Sequence, residues 1–472
     1  MLEKTKTVSG KNNKEIFETM PIPKALATLA IPTIIGQLVV LIYSLADTFY
    51  IGRTNNPLMV AGASLILPVY NICLSIAGLA VVGGGTLISR LLGAGKEEQA
   101  KKVSAFSFYL SIGMSVFFSV MTALFMHPLL MALGASGDTY QYARQYAFCV
   151  IVLGALPTVM SVTMSNLLRS VSCAKQAGFG VSMGGVINIF LDPLFMFVLF
   201  PAGMETAAAG IATMCSNVIV CIYYLAVILR MRGSTVLTFS PRSGMPEIKN
   251  IKSIFSVGIP AALATLLFDL AYVVIDKLAT GYGDIPLAAI GIVLKAERLP
   301  LNVGIGLCQG MMPIAAYNYS SGDHGRMKSV VSLSRIVGLV IAAVSIVLYE
   351  IFAGNILRFF ISDEQTVYIG ANFLRVRCLA TPFMFMCFHL VNLFQAVGKG
   401  DKALFLAVVR WALFNIPMLI LFNAVFGMYG IVCTQIVADI CTVAVSFYVY
   451  RRFERSIAAG AETPEAQEKN LA

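Results

Sequence analysis

Asp47 and Asp192 are carboxylates set inside long apolar runs, Ile31-Pro32 through Asp47-Thr48 and Asn188-Ile189-Phe190-Leu191-Asp192-Pro193. A carboxylate at membrane depth is costly to hold ionised and is seldom placed there without a task. A span that starts near Ile31 reaches Asp47 after roughly 24 Å, and one that starts near Gly178 reaches Asp192 after roughly 21 Å, at 1.5 Å per residue. The sixth apolar run crosses the other way and leaves Thr213 roughly 10 Å from the far face. In a hydrocarbon core about 30 Å thick these depths nearly coincide. Asn188 stands four residues before Asp192, on the same helical face. Pro193 lacks an N–H, which can leave a carbonyl free one turn earlier. Two carboxylates, an amide oxygen and a hydroxyl are hard oxygen ligands of the kind a small cation such as Na⁺ takes. Two acids crowded in an apolar setting also favour holding a proton between them, so H⁺ fits as well. Tyr146, on the fourth run, lies toward the far end of this region.

Plainer roles exist for each residue. Asp47 could be an interface acid that snorkels, and Asp192 could cap a break made by Pro193. Asn188 and Thr213 taken singly would be helix-packing residues. Shared depth is what joins them. An internal repeat adds to this: the counterpart of Asp192 falls near Leu419, so the acid pair belongs to one half, whereas a packing device would recur in both.

The elements that must position these residues are membrane helices. The 472 residues are 58% hydrophobic and only 12% charged, which a soluble domain could not arrange. About twelve apolar runs are long enough to cross a bilayer: 31–53, 58–90, 103–127, 143–168, 176–200, 206–230, 253–279, 286–318, 328–353, 366–396, 402–426 and 428–452. The net charge of +10 comes from short loops rather than from a nucleic-acid surface. Lys96, Lys101, Arg169, Lys175, Arg230, Arg232, Lys249, Arg326, Lys328, Lys399 and Arg451 fall on one side of a twelve-span arrangement. The other side has little beyond Arg53 and Arg358. The positive-inside rule then puts both termini in the cytoplasm.

Ile31-Pro32 recurs as Ile259-Pro260, Asn166-Leu167-Leu168 as Asn392-Leu393-Phe394, and Asn188-Ile189 as Asn415-Ile416, all near one offset. Six spans per half make the halves parallel repeats about an axis along the membrane normal. The expected organisation is a cytoplasmic segment 1–30, a six-helix bundle 31–230, a linker 231–252, a second bundle 253–452 and a tail 453–472. The tail after Arg455 reads as disordered.

The second half carries its own charges. Asp269 and Asp276 lie on span seven, Lys295, Glu297 and Arg298 on span eight, Arg410 on span eleven and Asp439 on span twelve. Some should pair with one another; others could line a cleft, with Asp269 the best acid for attracting a cationic ligand. His389 on span ten reads as a packing or hydrogen-bonding residue. Gly180-x-x-x-Gly184 and Gly306-x-x-x-Gly310 permit close helix approach. Gly93-Ala94-Gly95-Lys96 lacks the full spacing of a phosphate loop and reads as a helix-end turn. The ten cysteines show no metal spacing and read as small buried thiols.

With these residues in view, the chain resembles the multidrug and toxic compound extrusion (MATE) family, most closely its bacterial DinF-like and MepA-like branches. The likeness runs from about Leu29 to Arg452. It is carried by Ala46-Asp47-Thr48-Phe49-Tyr50-Ile51-Gly52, Ser89-Arg90-Leu91-Leu92-Gly93-Ala94-Gly95, Asn188-Ile189-Phe190-Leu191-Asp192-Pro193 and Pro313-Ile314-Ala315-Ala316-Tyr317-Asn318-Tyr319. The resemblance implies an all-α membrane protein with two pseudo-symmetric six-helix bundles around a V-shaped cleft, and exchange of H⁺ or Na⁺ for organic, often cationic compounds. It implies an ion site at Asp47, Asn188 and Asp192, with Thr213 and Tyr146 nearby, and a helix-bending role for Pro32. Other branches of the family use an acid on span seven, to which Asp269 is roughly equivalent, and another on span ten, where this chain has Met384, which counts against a second ion site of that type; Asp269, Lys295, Arg298, Met384 and His389 make up the expected cleft set.

The expectation is a cation-coupled antiporter in a bacterial cytoplasmic membrane, with no cofactor beyond the coupling ion, no nucleic-acid partner and a monomeric state. Its partners are small organic molecules and membrane lipids. The alternatives are a lipid-linked precursor flippase of the same superfamily, which would need a strongly cationic cleft, and an exporter dedicated to one metabolite. An embedded enzyme is disfavoured, because no HExxH or serine–histidine motif appears.

Overall fold

The computed structural model describes residues 14–459 except 55 and 202. Among them ten helices are long and apolar enough to cross a membrane alone, and two bent pairs bring the number to twelve. They are α1 (Ile22–Gly52), α2 (Pro57–Gly93), α3 (Glu97–Leu124), α4 (Gly137–Leu153 with Ala155–Ser170), α5 (Ala174–Leu199) and α6 (Glu205–Arg230). The second six are α7 (Ile248–Tyr282), α8 (Asp284–Ser321), α9 (His324–Phe360), α10 (Glu364–Cys378 with Thr381–Ala396), α11 (Gly400–Phe426) and α12 (Met428–Ala458).

Local chemistry sets the ends. Asn56 caps α2, its Oδ1 accepting from Leu58 N at 3.0 Å, and Pro57 supplies a first residue whose missing N–H costs nothing there. Asp323 and Asp363 cap α9 and α10 in the same way, each bonding a backbone N–H at 2.8 Å. Helix α1 begins at Ile22, well before the apolar run at 31, with helical hydrogen bonding continuous through Lys24 and Thr28. Helix α12 likewise continues past Arg455 to Ala458, and the rest of the expected disordered tail lies outside the described residues.

The repeat is visible in the backbone. The bends in α4 and α10 measure 46° and 48°, and fall near Gly154 and Ala380, which are counterparts in the two halves. Gly95 (φ 72°) and Gly322 (φ 84°) end helices with left-handed turns at equivalent places, as do Ser172 (φ 64°) and Gly398 (φ 79°). Helix α1 passes through Pro32 without a break of that size.

An even number of spans brings α1's start and α12's end to one face, called here the terminal face. The two bundles, α1–α6 and α7–α12, meet near it through paired glycines. Gly83 and Leu79 of α2 lie against Ile254 and Gly258 of α7; Gly310 and Gly306 of α8 lie against Ala30 and Ile34 of α1. Gly306 and Gly310 hold the places in α8 that Leu79 and Gly83 hold in α2, so the seam is itself two-fold pseudo-symmetric. Each glycine is met by the facing backbone, leaving no room for a side chain. Hydrogen bonds tie the same half: Arg90 Nη2 to Ser253 Oγ at 3.0 Å, Gln37 Nε2 to Gln309 Oε1 at 3.1 Å, and Arg169 Nη1 to Gln309 Oε1 at 2.9 Å. Beyond this seal α1 has no buried residue between Gly36 and Ile51, and α7 none between Ala261 and Ala271. The contacts named above that join the bundles lie on the terminal side of these stretches, as in a pair of bundles that splay toward the opposite face.

Candidate ion-binding site

Helix α5 is the keel of the first bundle. Gly178 and Gly185 let α1 approach at Pro32, Val39 and Tyr43, while Gly180 and Gly184 let α6 approach at Tyr224 and Val220. A heptad step from Gly178 and Gly185 lands on Asp192, which therefore faces α1; one turn after Gly184 comes Asn188, which faces α6. On α1 the series Val39, Tyr43, Asp47 advances by four and brings Asp47 onto α5. Close backbone approach and two short periodicities thus bring the acids together.

The carboxyl groups of Asp47 and Asp192 lie within hydrogen-bonding reach of each other. Asn188 Nδ2 donates to Asp192 Oδ1 at 3.2 Å and to Thr213 Oγ1 at 3.4 Å. Asp192 and Asn188 are buried, and Asp47 is half-buried with its Oδ1 sealed. Three acceptors receive no hydrogen bond: Asp47 Oδ1, Asn188 Oδ1 and Asp192 Oδ2. Buried oxygens without donors are expensive, and a cluster of them is the environment in which a bound cation or proton is stabilised. Among the described residues no three His, Cys, Asp or Glu side chains cluster as a metal site, so the arrangement differs from a transition-metal centre.

Tyr146, buried on α4, lies within electrostatic reach of both acids. So does Tyr43 of α1, while Tyr70 of α2 lies within reach of Asp47. Sequence reasoning missed both; the signal for Tyr43 was its place one turn before Asp47. A polar track continues from Thr213. Asn217 Nδ2 donates to Thr213 O at 3.0 Å, and Ser161 Oγ donates to Asn217 Oδ1 at 3.0 Å. One turn later on α4, Ser165 Oγ accepts from Arg169 Nη2 at 3.0 Å, and Arg169 belongs to the seal.

The second bundle is arranged otherwise. Arg410 pairs with Asp439 through Nε–Oδ1 at 2.8 Å and Nη2–Oδ2 at 3.1 Å. Arg377, which sequence reasoning did not single out, pairs with Glu297 at 2.6 Å. The expected cleft residues divide. Lys295 and Arg298 are exposed on α8, with the Arg298 guanidinium 5.5 Å from the Tyr272 ring centroid and within electrostatic reach of half-buried Asp269. Met384 and His389 are interior residues instead, at 2% and 0% exposure. Met384 lines a tight pocket with Glu297, Pro300 and Thr381, and His389 packs on Phe385 at 5.5 Å between ring centroids. Helix α10 turns this face inward, where its hydropathy takes it.

The model of the MatE family matches residues 32–194 and again 260–421, one match per bundle. The multidrug export protein MepA of Staphylococcus saprophyticus is 29% identical over 450 residues, covering 95% of this chain and 98% of that protein. A solved outward-facing conformation of a multidrug resistance MATE family transporter of the MOP superfamily superposes with a TM-score of 0.87 at 22% identity, covering 93% of this chain and 97% of that one. A MATE crystal structure in the straight conformation gives 0.88 at 22% identity over 94% of this chain and 98% of that one. A repeat-by-repeat family match, whole-length relatives and a shared fold agree: this chain belongs to the MatE family of membrane transporters.

Proposed function

We propose that this protein is a cation-coupled antiporter that exports organic, chiefly cationic amphipathic compounds by alternating access. The observation that carries the reading is the contact between Asp47 and Asp192, ringed by acceptors without donors. The positive-inside rule makes the terminal face cytoplasmic, in a bacterial inner membrane. The sealed terminal face then corresponds to an outward-open state. Cargo enters from the cytoplasm when that face opens, and meets Asp269 on the cleft wall. After the bundles rock, H⁺ or Na⁺ enters at the acid pair and lowers affinity for the cargo, which leaves. Exchange requires only that ion and cargo favour different states. Two polar groups lie between the site and the seal, Thr213 with Asn217 and Ser161, and one helical turn further on Ser165 with Arg169.

Efflux of a cationic dye from proteoliposomes, under separately imposed Na⁺ and pH gradients, tests the reading. Asp47→Asn and Asp192→Asn should each abolish gradient-driven efflux in folded protein. Full ion-driven efflux in either variant would sink the site. Scrambling of labelled lipid without dye efflux would favour the flippase.

A further inference from the structure

The segment just before α1 is built into the seam. Residues 14–18 form a helical turn that lies on the terminal face. Phe17 is 2% exposed and stacks on Tyr317 of α8 with ring centroids 4.7 Å apart. Asn318 Nδ2 donates to Phe17 O at 3.1 Å. Arg326 of α9 clasps the same turn, Nε to Phe17 O at 2.7 Å, Nη2 to Met20 O at 2.6 Å and to Ile16 O at 3.2 Å. The Tyr317 hydroxyl donates to Glu18. All of these partners belong to the second bundle.

The strap nevertheless belongs to the first bundle at both ends. It runs straight into α1 at Ile22, and Lys14 Nζ pairs with Glu97 at the start of α3, at 2.9 Å. Between these ends it crosses the seam beside the place where Gly93 of α2 abuts the Tyr317 backbone. The two sets of contacts differ in strength. Lys14–Glu97 is an exposed pair of the kind that adds little. The buried aromatic stack and the guanidinium holding three backbone carbonyls are what bind the strap.

We infer that residues 14–20 form a latch that holds the terminal face closed, with Phe17 as its anchor and Arg326 as its clasp. Opening that face parts α1 and α2 from α7 and α8, so the strap must come off Tyr317 and Arg326 in every cycle. Its contacts stabilise only the closed arrangement and so bias the equilibrium toward it. The inference rests on the alternating-access reading. Its test reads conformation directly and does not require transport, so either can fail alone.

The experiment is hydrogen exchange by mass spectrometry on the full chain in lipid nanodiscs, comparing the unaltered protein with Phe17→Ala and with Arg326→Gln. The expected result is at least tenfold faster exchange in residues 79–88 and 254–261, which belong to the seam and make none of the contacts described for the strap. Arg326→Gln retains a polar, helix-compatible side chain and guards against a folding defect in the other variant. Faster exchange confined to residues 14–20 and 314–326 in both variants, with the seam peptides unchanged, would overturn the latch and leave the strap a merely local packing element.

Discussion

Asn188 and Asn415 are repeat counterparts on equivalent helices, and their amides meet opposite electrostatic surroundings. Asn188 donates to Asp192 and Thr213. Asn415 Nδ2 donates to Gln435 Oε1 at 3.1 Å, and Gln435 Nε2 to Asp439 Oδ2 at 2.7 Å. Gln435 stands to Asn415 as Thr213 stands to Asn188, so both polar pockets occupy the same place in their bundles. In the second pocket the Arg410 guanidinium already satisfies the acid; in the first, the acids face one another.

Asn188→Ala should weaken the ion site without abolishing it. The amide fixes one Asp192 oxygen against Thr213, and loss of such an orienting partner typically costs about 10–100-fold in affinity. The ion concentration giving half-maximal efflux should rise by that factor while the maximal rate at saturating ion stays near normal. An unchanged half-maximal concentration would show that Asn188 serves helix packing alone.

Arg410→Met should unfold the protein more readily than any single change at the first site. It strands a fully buried carboxylate, which costs about 3–5 kcal/mol when one partner of such a pair is removed. Arg410→Met with Asp439→Asn should recover most of the loss, because no buried charge is left. Thermal unfolding in detergent measures both, and equal destabilisation by single and double variants would contradict the pairing.

Gly310→Val should jam the seam. The added side chain would enter the backbone of α1 at Ala30, where overpacking costs about 1–3 kcal/mol. That cost applies only when the terminal face is closed, so efflux should fall at least tenfold while dye binding to purified protein persists. Normal efflux would mean that the seam can relax around a branched residue.

Gly322→Ala should destabilise by about 1–2 kcal/mol through the left-handed backbone alone. Its φ of 84° is unfavourable for a side chain, and nothing within 4 Å would clash with one. Gly113→Ala, in the middle of α3 with equally open surroundings, should be neutral or stabilising. The difference between the two melting temperatures isolates the conformational term.

Much of this was legible in the sequence because it depends on period and offset. Twelve apolar runs marked the spans, a nearly constant offset marked the repeat, and shared depth put Asp47 and Asp192 at one level. What escaped depends on side chains meeting across the fold. Tyr43 and Tyr70 are two aromatics among many in a membrane protein, and only the packed bundle brings them to the acids. Arg377 is a basic residue inside a span, and only Glu297 on α8 explains it. The strap carries three apolar residues, Ile16, Phe17 and Met20, in a polar stretch too short for a periodic signal, and its place is set by Arg326, far along the chain. Met384 was counted with the cleft residues and is buried, while His389, counted with them too, is the packing residue that it also read as; which helical face turns inward is a packing decision.

The neutral Arg410–Asp439 couple has an electrical consequence. A group with no net charge feels no force from the membrane voltage, however far its bundle rocks, whereas an uncompensated unit charge is worth about 2.3 kcal/mol per 100 mV when it traverses the whole field. Voltage can therefore act on this pair of bundles unequally. The Arg410–Asp439 couple is thus electrically silent in the stroke, and any dependence of turnover on membrane potential should trace to charges without such a partner, the Asp47 and Asp192 carboxyls among them, and to the cargo's own charge.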